Sequence, residues 1–171
     1  MVAPHSPAER RKQLVHAGYV PTPVGGKRGV LKAWQKKIET NDAEIDLWSE
    51  LYPDAKSTGL LTRLMPALDL DILDQDAAEA CEALARERFE EKGHFLVRFG
   101  QPPKRAVIFR THQPFKHIGV SLVAPNGDES QKIEMLAEDQ QLVAFGVHKD
   151  TGKRLPSREH PRRARAARVV T

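Results

Sequence analysis

Two aspartates stand two residues apart in Leu68-Asp69-Leu70-Asp71. Strand side chains alternate, so in an extended segment Leu68, Leu70 and Ile72 form an apolar row while Asp69 and Asp71 share the opposite face. Carboxylates placed this way can reach one or two divalent cations, and Mg²⁺ in particular takes one or two carboxylates and completes its octahedron with water and substrate phosphates. The same pair also reads as a solvent-facing couple near a strand end, or as one aspartate satisfying a turn. The flanking leucines argue for burial, where an acidic pair is costly unless something cationic sits against it. A third carboxylate, Glu134, points away from Ile133 and Met135. If its strand lies beside that of Asp69, three acids converge, and three carboxylates around two metals suit in-line displacement at phosphorus. Otherwise Glu134 pairs with Lys132 or with a cross-strand base.

Arg98, Lys104 and Arg105 bracket a Gly-Gln-Pro-Pro tip. Such a cluster either holds a triphosphate, whose charge develops on the leaving pyrophosphate, or is a solvated loop tip. His148 follows an apolar run, and a lone histidine carries little weight on its own. The loop Gly25-Gly26-Lys27-Arg28-Gly29 combines glycines that let backbone approach a phosphate with two cations, a pattern that ordinary surface loops also have.

These residues need elements to hold them. Residues 6–17 read as a short basic helix with Pro7 in its first turn and Gly18 past its end. Residues 19–24 form an extended piece whose two prolines confine it to an edge or loop rim. Asn41 caps a helix with Glu44 at its third position and ends before Pro53, with Ile45, Trp48 and Tyr52 on one face. After the aspartate strand, Asp74 or Asp76 caps a helix reaching about Lys92, striped by Ala77, Ala80, Cys81, Leu84 and Phe89. Strands are expected at 95–99 and 106–110, as a hairpin, then at 120–124, 132–136 and 141–147, with a turn at 125–127. The order predicts an α+β fold with a mixed, largely antiparallel sheet and flanking helices.

Composition bounds the possibilities. A chain of 171 residues, 40% apolar and 29% charged, is about one domain's worth and is neither a disordered nor a membrane type. No apolar run reaches the length of a membrane span and the start has no signal-peptide core, so a cytoplasmic protein without a membrane partner is expected. The single cysteine, Cys81, excludes an internal disulfide and a thiolate zinc knuckle. Seven of the 27 basic residues but one of the 23 acidic ones fall in 153–171. The basic balance therefore belongs to a tail, read either as a nonspecific phosphate-contacting arm or as a solvated appendage, while residues 1–152 are slightly acidic.

Taken in order, these features resemble the primase-polymerase domain of the archaeo-eukaryotic primase superfamily, found at the N-terminus of phage and plasmid replication proteins. The resemblance covers nearly all of 19–152. It runs from Val20-Pro-Thr-Pro-Val-Gly-Gly-Lys27 and Trp34 through Ser57-Thr-Gly59 into Leu68-Asp-Leu-Asp71, then to Lys132-Ile-Glu134, Val143-Ala-Phe-Gly-Val-His148 and Thr151-Gly152. It implies a nucleotidyltransferase with Asp69, Asp71 and Glu134 as catalytic ligands of Mg²⁺ or Mn²⁺. A DNA template and nucleoside triphosphates are the implied partners, with a replicative helicase supplied by a separate chain. Many members carry a histidine at the second motif; here Arg98-Phe-Gly-Gln-Pro-Pro-Lys-Arg105 fills that place. Arg98, Lys104 and Arg105 are then the expected triphosphate contacts, with His148 a further candidate. The basic residues after Lys153 replace the family's aromatic-rich segment, a departure expected to impair activity. The alternatives are a metal-dependent nuclease or phosphohydrolase using the same acids on water, and a noncatalytic nucleic-acid-binding remnant.

Overall fold

A computed structural model of the chain describes residues 6–26, 28–89, 96–123, 127 and 130–146. His148, Lys27 and the basic tail at 153–171 lie outside the described residues, as do most of the 125–127 turn and the end of the helix expected to reach Lys92. The described chain divides into two compact units: one holds the residues up to Leu61 together with those from Gln141 on, the other Thr62–Gln140.

In the first unit, α1 (Pro7–His16) and α2 (Asp42–Leu51) both begin with a capping box. The Ser6 hydroxyl accepts from the Glu9 amide and the Asn41 side chain from the Glu44 amide, and each glutamate returns to the cap backbone, so two orphan donors are satisfied at each helix start. Ile45 and Trp48 face inward as their spacing requires. The sheet of this unit has the order β2 (Arg28–Gly29), β1 (Pro21–Gly25), β3 (Ser57–Leu61), β9 (Gln141–Phe145). β1 thus lies inside the sheet rather than at its rim, yet the reasoning about its prolines survives. β2 pairs only with Val24 and Gly25, beyond both prolines, and the carbonyls of Pro21 and Pro23 accept instead from the Thr40 hydroxyl and the Val30 amide. Along Pro21–Pro23 the side of β1 that lacks N–H donors carries no strand, and β2 joins that side only past the prolines. Arg11 is 1% exposed and donates to the carbonyls of Ala55 and Ser57; burial lowers its pKa to about 10.

The second unit carries a five-stranded sheet, ordered β5 (Leu96–Phe99), β6 (Arg105–Ile108), β4 (Ala67–Asp71), β8 (Gln131–Leu136), β7 (Ile118–Leu122). The α+β class is as expected, with the strands shared between two sheets whose described pairings are antiparallel. Asp74 caps α3 (Gln75–Phe89), its carboxylate accepting from the Ala77 amide at 2.8 Å. Leu70, Ile72 and Ala78 form a buried cluster with Leu68, Cys81, Leu122 and Ile133 against it, so α3 covers the leucine face of β4. The opposite face of β4 is left to Asp69 and Asp71.

Arg105 fastens α3 to this sheet. Its guanidinium is 5% exposed, lies 5.3 Å over the Phe99 ring and donates to Glu82 Oε2 at 2.7 Å and to the Pro103 carbonyl at 3.1 Å. Burial pushes the Glu82 carboxyl up, but hydrogen bonds from Arg105 and Arg86 and the charges of both more than offset this and hold it below the ordinary glutamate range. Glu82→Gln should therefore lower the unfolding free energy by about 2–4 kcal/mol at neutral pH, because it leaves the buried Arg105 charge with only the exposed Glu79, 4.0 Å away, as an acidic neighbour. A depressed carboxyl contributes its stability above the unfolded pKa and loses it as pH falls through the folded one. The difference between parent and variant in urea unfolding should accordingly be full at pH 7 and shrink as the pH drops through and below the ordinary glutamate range. A difference independent of pH would contradict the clamp.

Candidate active site

The register of the second sheet places the candidate residues in two adjacent rows. Asp69 stands opposite Glu134 on one side and Ala106 on the other; Arg98 is opposite Ala106, and Gly119 opposite Glu134. Directly paired residues of an antiparallel sheet share a face, so one row reads Arg98, Ala106, Asp69, Glu134, Gly119. In the neighbouring row Asp71 faces Lys132, which faces Ser121, and Lys104 completes it from the turn before β6. Two strands that are remote in sequence from β4 thus bring Glu134 and Arg98 to the Asp69 face.

Each carboxylate has a positive neighbour. Lys104 Nζ lies 2.5 Å from Asp71 Oδ1. Glu134 is held at both oxygens, with Lys132 Nζ 2.5 Å from Oε2 and His117 Nε2 3.0 Å from Oε1. Burial pushes the Asp69 carboxyl up; the Arg98 charge pulls it back, Asp71 and Glu134 push it further up, Lys132 lowers it, and the balance leaves it above the ordinary aspartate range. Burial also lowers Arg98, against the raising charges of Asp69 and Asp71. For Glu134 burial acts upward, but the hydrogen bonds from Lys132 and His117, with their charges, bring it below the ordinary glutamate range.

Small residues make this packing possible. Ala106, fully buried between Arg98 and Asp69, leaves the guanidinium and the carboxylate their space. A Cβ at Gly100 would stand 2.9 Å from Arg98 Nη1, and one at Gly119 would stand 3.2 Å from His117 Cε1 and 3.6 Å from Glu134 Cγ. Glycine at 119 therefore lets the imidazole lie across the strand and reach Glu134.

Arg105 does not join this group. Strand alternation sends it to the face opposite its neighbours Lys104 and Ala106, where Glu82 and Phe99 engage it. The hairpin cations expected to share one cleft with the acids are thus divided, Arg98 and Lys104 on the carboxylate face and Arg105 on the helix face. From the sequence Lys132 is expected only as an alternative partner of Glu134 and Gly100 only as part of the hairpin tip, while His117 and Gly119 are not singled out at all. Basic residues at alternate positions around the acids were the available signal for Lys132. Nothing in the local sequence marks the two glycines. Among the described residues no three acidic, histidine or cysteine side chains are already gathered as a metal cage.

The electrostatics give a signed expectation for the metal-free protein. Asp69 should titrate above the ordinary aspartate range. Arg98→Met should drive it higher by removing an attracting charge, and Asp71→Asn should bring it down by removing a like charge. Carboxyl-carbon NMR titration reads all three. A downward move in Arg98→Met would contradict the assignment of neighbours.

A comparison with protein-family models matches residues 12–167 to the bifunctional DNA primase/polymerase N-terminal domain. A search of the curated proteins returned no match. The family match takes in both units and both rows of charged residues described above, and the chain belongs to the bifunctional DNA primase/polymerase N-terminal domain family.

Proposed function

We propose that this chain is a template-dependent DNA primase/polymerase domain that transfers nucleotides at the Asp69, Asp71 and Glu134 face. The family implies nucleotidyltransferase-type activity in general, with DNA and nucleotide substrates and a general dependence on metal. The observation that carries the reading to these residues is the register that sets Asp69 opposite Glu134, with Asp71 two residues along the same strand.

The donor set fits a hard divalent cation such as Mg²⁺ or Mn²⁺. It is all oxygen, it comes from one face of two adjacent strands, and two of its members already carry an ammonium group on a carboxylate oxygen. Asp69, Asp71 and Glu134 would hold the metal, which when bound stabilises charge developing on the phosphates and favours deprotonation of the attacking hydroxyl. The chain's own residues do the rest. Arg98 supplies a fixed positive charge next to the acids for the triphosphate, with Lys104 as a second, mobile one. His117 orients Glu134 from Oε1, while Oε2 carries the Lys132 ammonium. Arg105 has a supporting role, since Glu82 and Phe99 retain it on the other face.

Primer synthesis and extension on single-stranded DNA with labelled nucleotides, in Mg²⁺ or Mn²⁺, test the reading. The parent should incorporate nucleotide. Asp71→Asn should reduce incorporation on the order of 10³-fold, the scale of losing one preorganised electrostatic element, while its unfolding transition is retained. Degradation of labelled DNA in place of incorporation would select the hydrolase reading. Template binding without metal-dependent synthesis in the parent would select a noncatalytic one.

A further inference from the structure

The two rows hold three carboxylates and three permanent cations, Asp69, Asp71 and Glu134 against Arg98, Lys104 and Lys132. The face is therefore neutral as it stands, and the cations differ in kind. Arg98 is half-buried, its planar guanidinium lying against Gly100 and its strand position facing Ala106. Lys104 and Lys132 are 34% and 47% exposed, so their ammonium groups sit at the end of flexible stems with a free path to solvent. An ammonium on Asp71 Oδ1 and another on Glu134 Oε2 occupy oxygens that a divalent cation would need.

Resting on the functional reading above, we propose that Lys104 and Lys132 are exchangeable counter-ions: they neutralise Asp71 and Glu134 in the empty site and transfer to the phosphates when metal and nucleoside triphosphate arrive together. Charge requires the two events to be coupled. Divalent cations added alone must expel the lysines and leave an uncompensated excess of positive charge on a half-buried face. A triphosphate added alone meets lysines already committed to carboxylates. Added together, the cations take the carboxylates, the displaced ammonium groups find phosphate oxygens, and the face returns close to neutrality. Coupling of this kind is reciprocal: each ligand tightens the other by the same factor, typically about 5- to 150-fold. The exchange also gives the lysines two opposite effects, competing with metal for the carboxylates and recruiting the nucleotide.

That opposition is what the experiment reads. Mn²⁺ binding is measured by electron paramagnetic resonance on the parent, Lys104→Gln and Lys132→Gln, each with and without a non-hydrolysable deoxyadenosine triphosphate analogue, whose own affinity is taken by calorimetry. Both lysines are at the surface, and an unchanged thermal transition confirms that each variant folds. The expected result is a sign split: either variant binds Mn²⁺ alone about tenfold more tightly than the parent, binds the analogue more weakly, and has a smaller coupling factor. Mn²⁺ binding in the parent that is unchanged or weakened in both variants overturns the exchange while leaving the functional reading standing. A parent that binds neither Mn²⁺ nor the analogue, alone or together, overturns the functional reading and the exchange with it.

Discussion

Three carboxylates on one half-buried face of a sheet repel one another, and much of the second unit is arranged by the need to neutralise them. Antiparallel pairing of β4 with β8 puts Asp69 directly across from Glu134, where side-chain origins lie about 4.5–5.5 Å apart and like charges destabilise the pair. The burial that raises Asp69 makes the repulsion harder to screen. The compensation comes from three strands or their turns: Arg98 on β5, Lys104 before β6, Lys132 on β8 itself. Long basic side chains can reach the acids only where the positions between and beside them are small, which accounts for Ala106 between Arg98 and Asp69 and for Gly100 beside the guanidinium.

The two faces of this sheet do different work because strand alternation separates neighbours in sequence. Leu68 and Leu70 go to the core with α3, while Asp69 and Asp71 go to the charged face. The hairpin repeats the division in basic residues. Lys104 meets Asp71, and the adjacent Arg105 turns the other way to hold Glu82. Helix α3 is thereby tied to the same hairpin that carries Lys104 and Arg98, so the apolar face, with the buried Arg105–Glu82 pair, fixes the backbone from which the charged face is built.

Much of this was legible in the sequence, for reasons that also mark where legibility stopped. Alternation in Leu68-Asp69-Leu70-Asp71 and in Ile133-Glu134-Met135 suffices to assign faces within each strand. Pro7 in a first turn and capping chemistry at Asn41 and at Asp74 or Asp76 suffice to place three helix starts to within two residues, the structure choosing Asp74. Adjacency in the sheet was not legible, since β4 lies between β6 and β8, neither next to it in the chain. Arg105 was misplaced by a single residue: a strand expected to begin at Ala106 leaves Arg105 in the turn, free to face the acids, whereas the observed strand begins at Arg105 and parity sends it to α3. His117 was overlooked for a similar reason, because β7 begins at Ile118 rather than at Val120 and so brings the residue before it alongside Glu134.

The central claim is that the Asp69, Asp71 and Glu134 face is where divalent metal binds, and paramagnetic broadening by Mn²⁺ tests it most directly. In amide-detected spectra of the protein with a nucleoside triphosphate analogue present, substoichiometric Mn²⁺ should first erase signals from 69–71 and 133–135, then those of 98 and 105–106 across the sheet. Broadening that begins instead at the exposed acids of α3, or is spread evenly over the surface, would contradict the account.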